Sequence, residues 1–252
     1  MKSRYLCLLV ASMLVFAGCG HKQPQAKVPQ PPELPQPAAP SNTAETPTKP
    51  PPETPAVQST KAELEKFASA PALLTEVGIA SWYGPPYHNR RGSNGEIYDM
   101  NAMTAAHRTL PLNSVVRVTN LKTGHAAVVR ITDRGPFIGE RILDLSLAAA
   151  KAIDLWSAGT GWVKMELLES PVPVDRGGRW AVQIGAFNDA SSAAKLKRDI
   201  LSRYHPTKVL EFAGPTGEWV RVRVENDDRE LAEEISRSCT TPEGGVFLVR
   251  LD

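Results

Sequence analysis

The chain has 252 residues, a formal net charge of +2, 22 prolines, 18 glycines and 3 cysteines. So small a charge over this length, with no basic block in either half, argues against nucleic acid as a partner and suits a neutral polymer. Beyond the extreme N-terminus no apolar run is long enough to span a bilayer, and three cysteines do not hold a fold of this size together.

Lys2 and Arg4 precede an apolar run from Tyr5 to Ala17 that is short for a membrane span and ends in small residues, the pattern of a secretory signal over 1–18. Phe16-Ala17-Gly18-Cys19 places small residues before a thiol, as acylation and signal cleavage at Cys19 require, and Gly20 rather than Asp after it implies release to the outer membrane. Expected, then, is an outer-membrane lipoprotein facing the periplasm and held by a lipid on Cys19. Cys7 is removed with the signal, which leaves Cys239 as a buried structural thiol.

From 19 to 72 the chain is Pro, Gln, Ala, Thr, Lys and Glu with few apolar side chains, so it cannot offset its ordering entropy by burial. It reads as a disordered tether ending in a weak helical turn over Lys61 to Ala70. With polyproline II rising about 3.1 Å per residue, about 50 residues reach on the order of 150 Å.

Residues 75–170 read as a small β-barrel. Ser114 to Asn120 and Ala126 to Ile131 are β-branched runs joined across Lys122-Thr123-Gly124, which predicts a hairpin. Ser146 is placed to cap a helix, and Val163 to Leu168 alternates as a closing strand does. The polar chemistry lies in four blocks: Ala80-Ser81-Trp82-Tyr83-Gly84, Asn94-Gly95-Glu96-Ile97-Tyr98-Asp99, Thr104-Ala105-Ala106-His107-Arg108-Thr109-Leu110-Pro111, and Asp133-Arg134-Gly135-Pro136. These blocks, followed by Asp144-Leu145-Ser146, resemble the rare lipoprotein A (RlpA) family of periplasmic proteins. One departure is Gly92-Ser93, where family members commonly carry Thr-Ala before Asn-Gly-Glu. The resemblance implies a double-psi β-barrel with lytic transglycosylase activity on peptidoglycan glycan strands.

After a linker over 171–178, residues 179–252 read in the order βαββαβ. Strands are expected over Trp180 to Phe187, Thr207 to Glu211, Trp219 to Val224 and Val246 to Val249, with helices after Asn188 or Asp189 and after an Asp227/Glu230 capping box. Val182-Gln183-Ile184-Gly185-Ala186-Phe187 resembles the first strand of a SPOR domain, a module that binds glycan strands stripped of stem peptides at the division septum. This implies Gln183 and Phe187 as glycan contacts and division-site proteins as candidate partners. The fold class is therefore mainly β plus α/β: a double-psi barrel followed by a small ferredoxin-like domain.

Cleaving a glycosidic bond needs a proton donor for the leaving oxygen and stabilisation of oxocarbenium charge, which is why such sites collect carboxyl groups. A lytic transglycosylase replaces water by the substrate's own 6-hydroxyl, so one carboxyl can donate and later accept the proton. Asp133, ending a strand before a Gly-Pro turn, is the first candidate for that role. Glu96 in an Asn-Gly-Glu turn is a candidate for substrate binding or charge stabilisation, and His107 for orienting a carboxylate or the sugar. Asp99 is either catalytic or bonded to a loop amide. Trp82 and Tyr83 offer flat faces for sugars, with barrel core as the rival role for Trp82. Arg134 and Arg108 either grip the substrate or pair with Asp99 or Glu96. A non-catalytic, expansin-like wall-binding protein is the alternative reading. No zinc cluster and no phosphate loop is present in the sequence, so neither a metal nor another cofactor is expected.

Overall fold

The computed structural model describes residues 62, 65–67, 70–204, 208–214, 216–241 and 244–252. The signal segment, Cys19 and nearly all of the expected tether lie outside the described residues; of the expected helical turn, residues 62, 65–67 and 70 are described, with helix at 62, 65 and 66.

Six strands form a closed barrel: β1 (Leu74–Trp82), β2 (Thr104–His107), β3 (Val115–Asn120), β4 (Ala126–Asp133), β5 (Arg141–Leu145) and β6 (Thr160–Glu169). Their order around the barrel is β1-β5-β2-β4-β3-β6, and β6 returns to β1 as an antiparallel partner. The expected hairpin is β3 against β4, in antiparallel register from Val115–Arg130 to Thr119–Ala126. Alternation decides which side faces in. Val116, Val118, Val129, Ile131, Leu143, Leu145, Met165 and Leu167 meet in one core, each with at most 2% of its surface exposed. Burying a side chain of that size stabilises by roughly 1.5–3 kcal/mol, so this cluster is the main source of barrel stability. The opposite side of β3 and β6 is polar, and there Arg117 donates from Nε and Nη2 to both Glu166 oxygens at 2.9 and 3.0 Å.

Helix α1 (Leu147–Ala152) starts where expected. Ser146 Oγ accepts from Ala149 N at 3.1 Å and donates to Ala102 O at 2.6 Å, so one hydroxyl caps the helix and ties down the loop before β2. Ala149 and Ala150 then pack into the barrel core.

The second domain has the expected order: β7 (Trp180–Phe187), α2 (Ala190–Arg203), β8 (Lys208–Gly214), β9 (Gly217–Arg223), α3 (Arg229–Ser238) and β10 (Gly245–Arg250). The sheet runs β10-β7-β9-β8, all antiparallel. Trp180, Val182, Ile184, Val220 and Val222 face the helices, where Ala193, Ile200, Ala232 and Ile235 cover them. Cys239 is half-buried at the edge of this core, and burial raises its thiol pKa. Asp189 caps α2 by accepting from Ser192 N at 2.9 Å. The cap of α3 is one residue later than the sequence suggested: Asp228, not Asp227, accepts from Leu231 N at 3.0 Å. The reason is backbone shape, because Asn226 and Asp227 both adopt positive φ and turn the chain before the helix can begin.

On the other face of this sheet lie Phe212, Trp219, Arg221, Gln183 and Phe247. Phe137, from the barrel loop after β4, meets the rings of Trp219 and Phe247 edge-on at 5.9 and 5.8 Å. Trp219 lies flat over Gly185, where φ is +147° and a Cβ would stand 2.8 Å from the indole and 2.9 Å from Glu218 O. Gly185→Ala should therefore destabilise the protein by roughly 1–3 kcal/mol, the usual cost of a strained backbone position. Urea unfolding followed by Trp fluorescence measures it, and an unchanged midpoint would contradict this packing.

Candidate active site

Between β1 and β2 the chain makes a strandless excursion that covers one end of the barrel. A 3₁₀ turn at Pro85–Tyr87 opens it, and a bridge between Arg91 and Ile97 closes a tight loop around Asn94-Gly95. Gly95 sits at φ +89°, with Gly95 N donating to Gly92 O at 3.0 Å, so the turn needs the glycine. Asn94 holds Glu96 from both sides: Oδ1 accepts from Glu96 N at 3.0 Å and Nδ2 donates to Glu96 Oε2 at 2.8 Å. The loop is anchored to the barrel by Asn94 N donating to Thr132 O at 3.1 Å, and this brings it over the end of β4.

There it meets Asp133. Asp133 Oδ1 accepts three hydrogen bonds, from Ser93 N at 3.0 Å, Ser93 Oγ at 2.5 Å and Arg134 N at 2.8 Å. One oxygen so fully engaged fixes the plane of the carboxylate and leaves Oδ2 turned to other partners. Glu96, Asp99 and Asp133 line one pocket of about 100 Å³, together with Tyr98, Thr104 and Thr132. Three of the carboxylates singled out in the sequence thus converge. Asp99 is also engaged locally, since its Oδ1 accepts from Asn101 N at 2.9 Å. That is the loop-amide bond weighed against a catalytic role.

Neither aromatic candidate, Trp82 or Tyr83, lines the pocket; the ring that does is Tyr98. Tyr83 stacks on Tyr98 at 4.3 Å and 22°, and Tyr98 Oη donates to Tyr83 O at 2.8 Å. Trp82 packs partly against the barrel core and donates from Nε1 to Trp156 O at 3.0 Å. Burial, with the nearby charges of Asp133 and then Asp144, raises the Tyr83 phenol pKa, so this hydroxyl keeps its proton.

Other candidates stand elsewhere. His107 is buried on the far side of the β4–β5 loop, in a larger cavity of about 470 Å³ lined by Glu76, Arg108, Glu140 and Phe247. Arg134 and Arg108 pair with neither Asp99 nor Glu96. Arg134 Nη1 donates to His107 O and Leu110 O at 3.0 and 2.7 Å, and Nη2 to Asp252 O at 2.6 Å. Arg108 Nη1 donates to Pro136 O and Arg141 O at 3.2 and 2.8 Å. Burial pushes the Arg134 guanidinium down to about 10, still charged at neutral pH. Gln183 is buried on the sheet face away from the helices, where Oε1 accepts from Arg221 Nε and Nη2 at 3.1 and 2.6 Å, so it is not exposed for the expected glycan contact. Phe187 is not beside it, because a register shift between Gly185 and Phe187 turns that ring into the helix-side core. Among the described residues no group of three or more His, Cys, Asp and Glu converges as metal ligands would.

Sequence reasoning assigned no role to two side chains around Asp133. Ser93 is the residue that departs from the family's usual Thr-Ala, and here it supplies two of the three bonds to Asp133. The other is Asp144. Ala106 of β2 pairs with Asp133 on one side and Asp144 on the other, which puts the two carboxyl-bearing positions two strand spacings apart, roughly 10 Å. Asp144 Oδ2 takes Arg141 Nη2 at 3.2 Å while Oδ1 is buried without a hydrogen-bond partner. Burial raises its carboxyl pKa from the ordinary aspartate range to about 6, against the pull of Arg141 and Arg108. An acid standing alone between Leu143 and Leu145 was the signal for it, since an apolar strand that admits one carboxyl usually does so for a reason.

The closed barrel with its clustered carboxylates and the antiparallel sheet with helices on one face form two domains, and each has its own family match. Residues 75–165 match the lytic transglycolase family and residues 177–237 the SPOR domain family. Over these spans the chain is similar to proteins named RlpA. The endolytic peptidoglycan transglycosylase RlpA of Campylobacter jejuni is 41% identical over 154 residues, 52% of this chain and 54% of that protein. The protein of the same name from Helicobacter pylori is 55% identical over 165 residues, 54% of this chain and 52% of that one. That of Neisseria meningitidis serogroup A is 56% identical over 95 residues, 38% of this chain and 40% of that one. The chain thus spans about half the length, or less, of these relatives.

Asp144 gives a signed pH prediction. The folded state holds its proton more tightly than the unfolded chain, so stability falls as pH rises from about 3.8 through about 6. A displacement of that size corresponds to roughly 3 kcal/mol at neutral pH, an upper figure for a group not wholly buried. Asp144→Asn, which mimics the protonated acid, should raise Tm relative to the parent at pH 8 and lose that advantage by pH 4. A variant equally less stable at both pH values would mean that Asp144 is held as an ordinary ion pair.

Proposed function

We propose that this protein is a peptidoglycan lytic transglycosylase that cleaves MurNAc-GlcNAc strands, preferentially those lacking stem peptides, and leaves 1,6-anhydro ends. The observation that carries this reading is the convergence of Glu96, Asp99 and Asp133 on one pocket, with Asp133 locked by three donors on a single oxygen. Asp133 acts as the acid and base. It donates a proton to the leaving glycosidic oxygen, and the C1–O bond breaks. The substrate's 6-hydroxyl oxygen then bonds to C1 and returns its proton to Asp133, so no water is consumed. Glu96, aimed by Asn94, stabilises the positive charge that develops at C1 in between. Tyr98 lines the pocket, and Tyr83 stacks on it. The names of the relatives and the lytic transglycolase match support the reaction class.

The C-terminal domain holds the enzyme on glycan at the division septum, where division-site proteins are its neighbours, and its SPOR match supports this role. The Gly18-Cys19 pattern supports an outer-membrane lipid anchor at Cys19. Cys19→Ser should abolish fatty-acid labelling of the protein in growing cells, and unchanged labelling removes the anchor.

The reaction is tested by mass spectrometry of fragments released from peptidoglycan stripped of peptides. Wild type should give anhydro-ended products, and Asp133→Asn should give about 10²–10⁴ less while melting near the wild-type temperature. Reducing ends would indicate a hydrolase. A folded wild type that releases nothing is a wall-binding protein instead.

A further inference from the structure

His107 is among the most deeply buried polar side chains of the barrel domain, and both its ring nitrogens are engaged by protein. Nδ1 accepts from two backbone amides, Thr109 N at 3.2 Å and Leu110 N at 3.0 Å. An acceptor nitrogen carries no proton, so the neutral ring has its one N–H at Nε2, facing Glu76 Oε2 at 3.4 Å. The groups that face the ring are Glu76, Arg108 and Arg134. Burial and the two guanidiniums favour the neutral imidazole over the opposing pull of Glu76, and Glu76 is in turn kept ionised mainly by its bond to the ring. Neither nitrogen is left to meet a substrate, and the pocket lined by Asp133 does not include His107.

What the ring does hold is the turn from 107 to 110. The carbonyl oxygens of His107 and Leu110, at the two ends of that turn, both accept from Nη1 of Arg134. The amide of Arg134 in turn donates to Asp133 Oδ1 at 2.8 Å and to Ser93 Oγ at 3.2 Å. A continuous chain of hydrogen bonds therefore runs from Glu76 through the imidazole and the turn to Arg134 and ends on the pocket carboxylate. We infer that His107, oriented by Glu76, is a positioning residue for Asp133 that acts through Arg134: its Nδ1 shapes the carbonyl pair that fixes Arg134, and Arg134 sets the direction of the Asp133 carboxylate. The inference rests on the acid/base role proposed above for Asp133, and it assigns to Glu76 and Leu110 parts in the site that neither touches.

The two nitrogens can be separated chemically. In His107→Asn the side-chain oxygen takes the place of Nδ1 and keeps an acceptor for the two amides. In His107→Gln an N–H donor reaches toward Glu76 but no acceptor stands at the Nδ1 position. On the full-length protein with peptide-stripped glycan, His107→Asn should hold kcat within about tenfold of wild type, with an unchanged shape of the rate against pH. His107→Gln should lose about 10² in kcat with KM little changed, the scale expected when a reacting group is misplaced by about an ångström. Arg134→Lys, which cannot grip both carbonyls as the guanidinium does, should lose as much. The double variant His107→Gln/Arg134→Lys should be no slower than either single one, because both break the same chain.

Two results would overturn the positioning role. One is His107→Asn and His107→Gln being equally inactive while both melt as folded proteins, since the imidazole itself would then take part in the chemistry. The other is kcat losses that multiply in the double variant, which would make the two residues independent. A wild type that releases no anhydro-ended fragment overturns the activity reading first, and the positioning role with it. Thermal melts of each variant separate loss of rate from loss of fold.

Discussion

Strand β2 is four residues long, and the geometry of the site depends on how it is paired. It runs parallel to β4 and antiparallel to β5, with a register shift between Ala105 and Ala106 on the β4 side. That irregularity is what brings Asp133, rather than Thr132, opposite Ala106, while Asp144 stands opposite the same alanine on the other side. A bulge adds one residue to one strand and reverses the direction of the side chain beyond it. Without the shift the terminal carboxylate of β4 would point to the other face. Ala106 has a small side chain with carboxyl-bearing neighbours on both sides, and a larger residue there would compete with both for space.

The polar residues around this strand differ in what they face. Asp133 is exposed enough to line a pocket and is oriented by local donors. Asp144 is screened from water, has one unbonded oxygen and binds its proton up to about pH 6. Tyr83 lies within the field of both and stays protonated. Arg108 and Arg134 complete the pattern from behind, because their guanidinium hydrogen bonds go to backbone carbonyls that shape the loops.

Much of the fold was legible because it is written in local terms. Alternating β-branched runs around Gly124 gave the hairpin, Ser146 gave a cap, and the order of strands and helices in the second domain followed from periodicity. The carboxylates at 96, 99 and 133 could be named because turn residues flank them. What could not be read is what depends on pairing across the barrel. The position of His107 behind the β4–β5 loop, the engagement of Arg134 with carbonyls and the opposition of Asp144 to Ala106 are set by strand register, which no window of sequence contains. Phe187 shows the same limit at the scale of one residue, since only the register shift tells which face of the sheet its ring takes. Asp227 and Asp228 differ in a backbone angle that their side chains do not announce.

The barrel is closed by strands that flank the segment 83–103 without including it: β1 pairs with β5 and β6, and β2 with β4 and β5. That segment nevertheless supplies Ser93, Asn94, Glu96, Tyr98 and Asp99 to the pocket or to its carboxylate. Closure and pocket lining are thus assigned to different stretches of chain. Insertions or substitutions between 84 and 103 can reshape what the pocket admits while every ladder of the barrel stays in register, so one scaffold can diversify toward different ligands without first losing its stability.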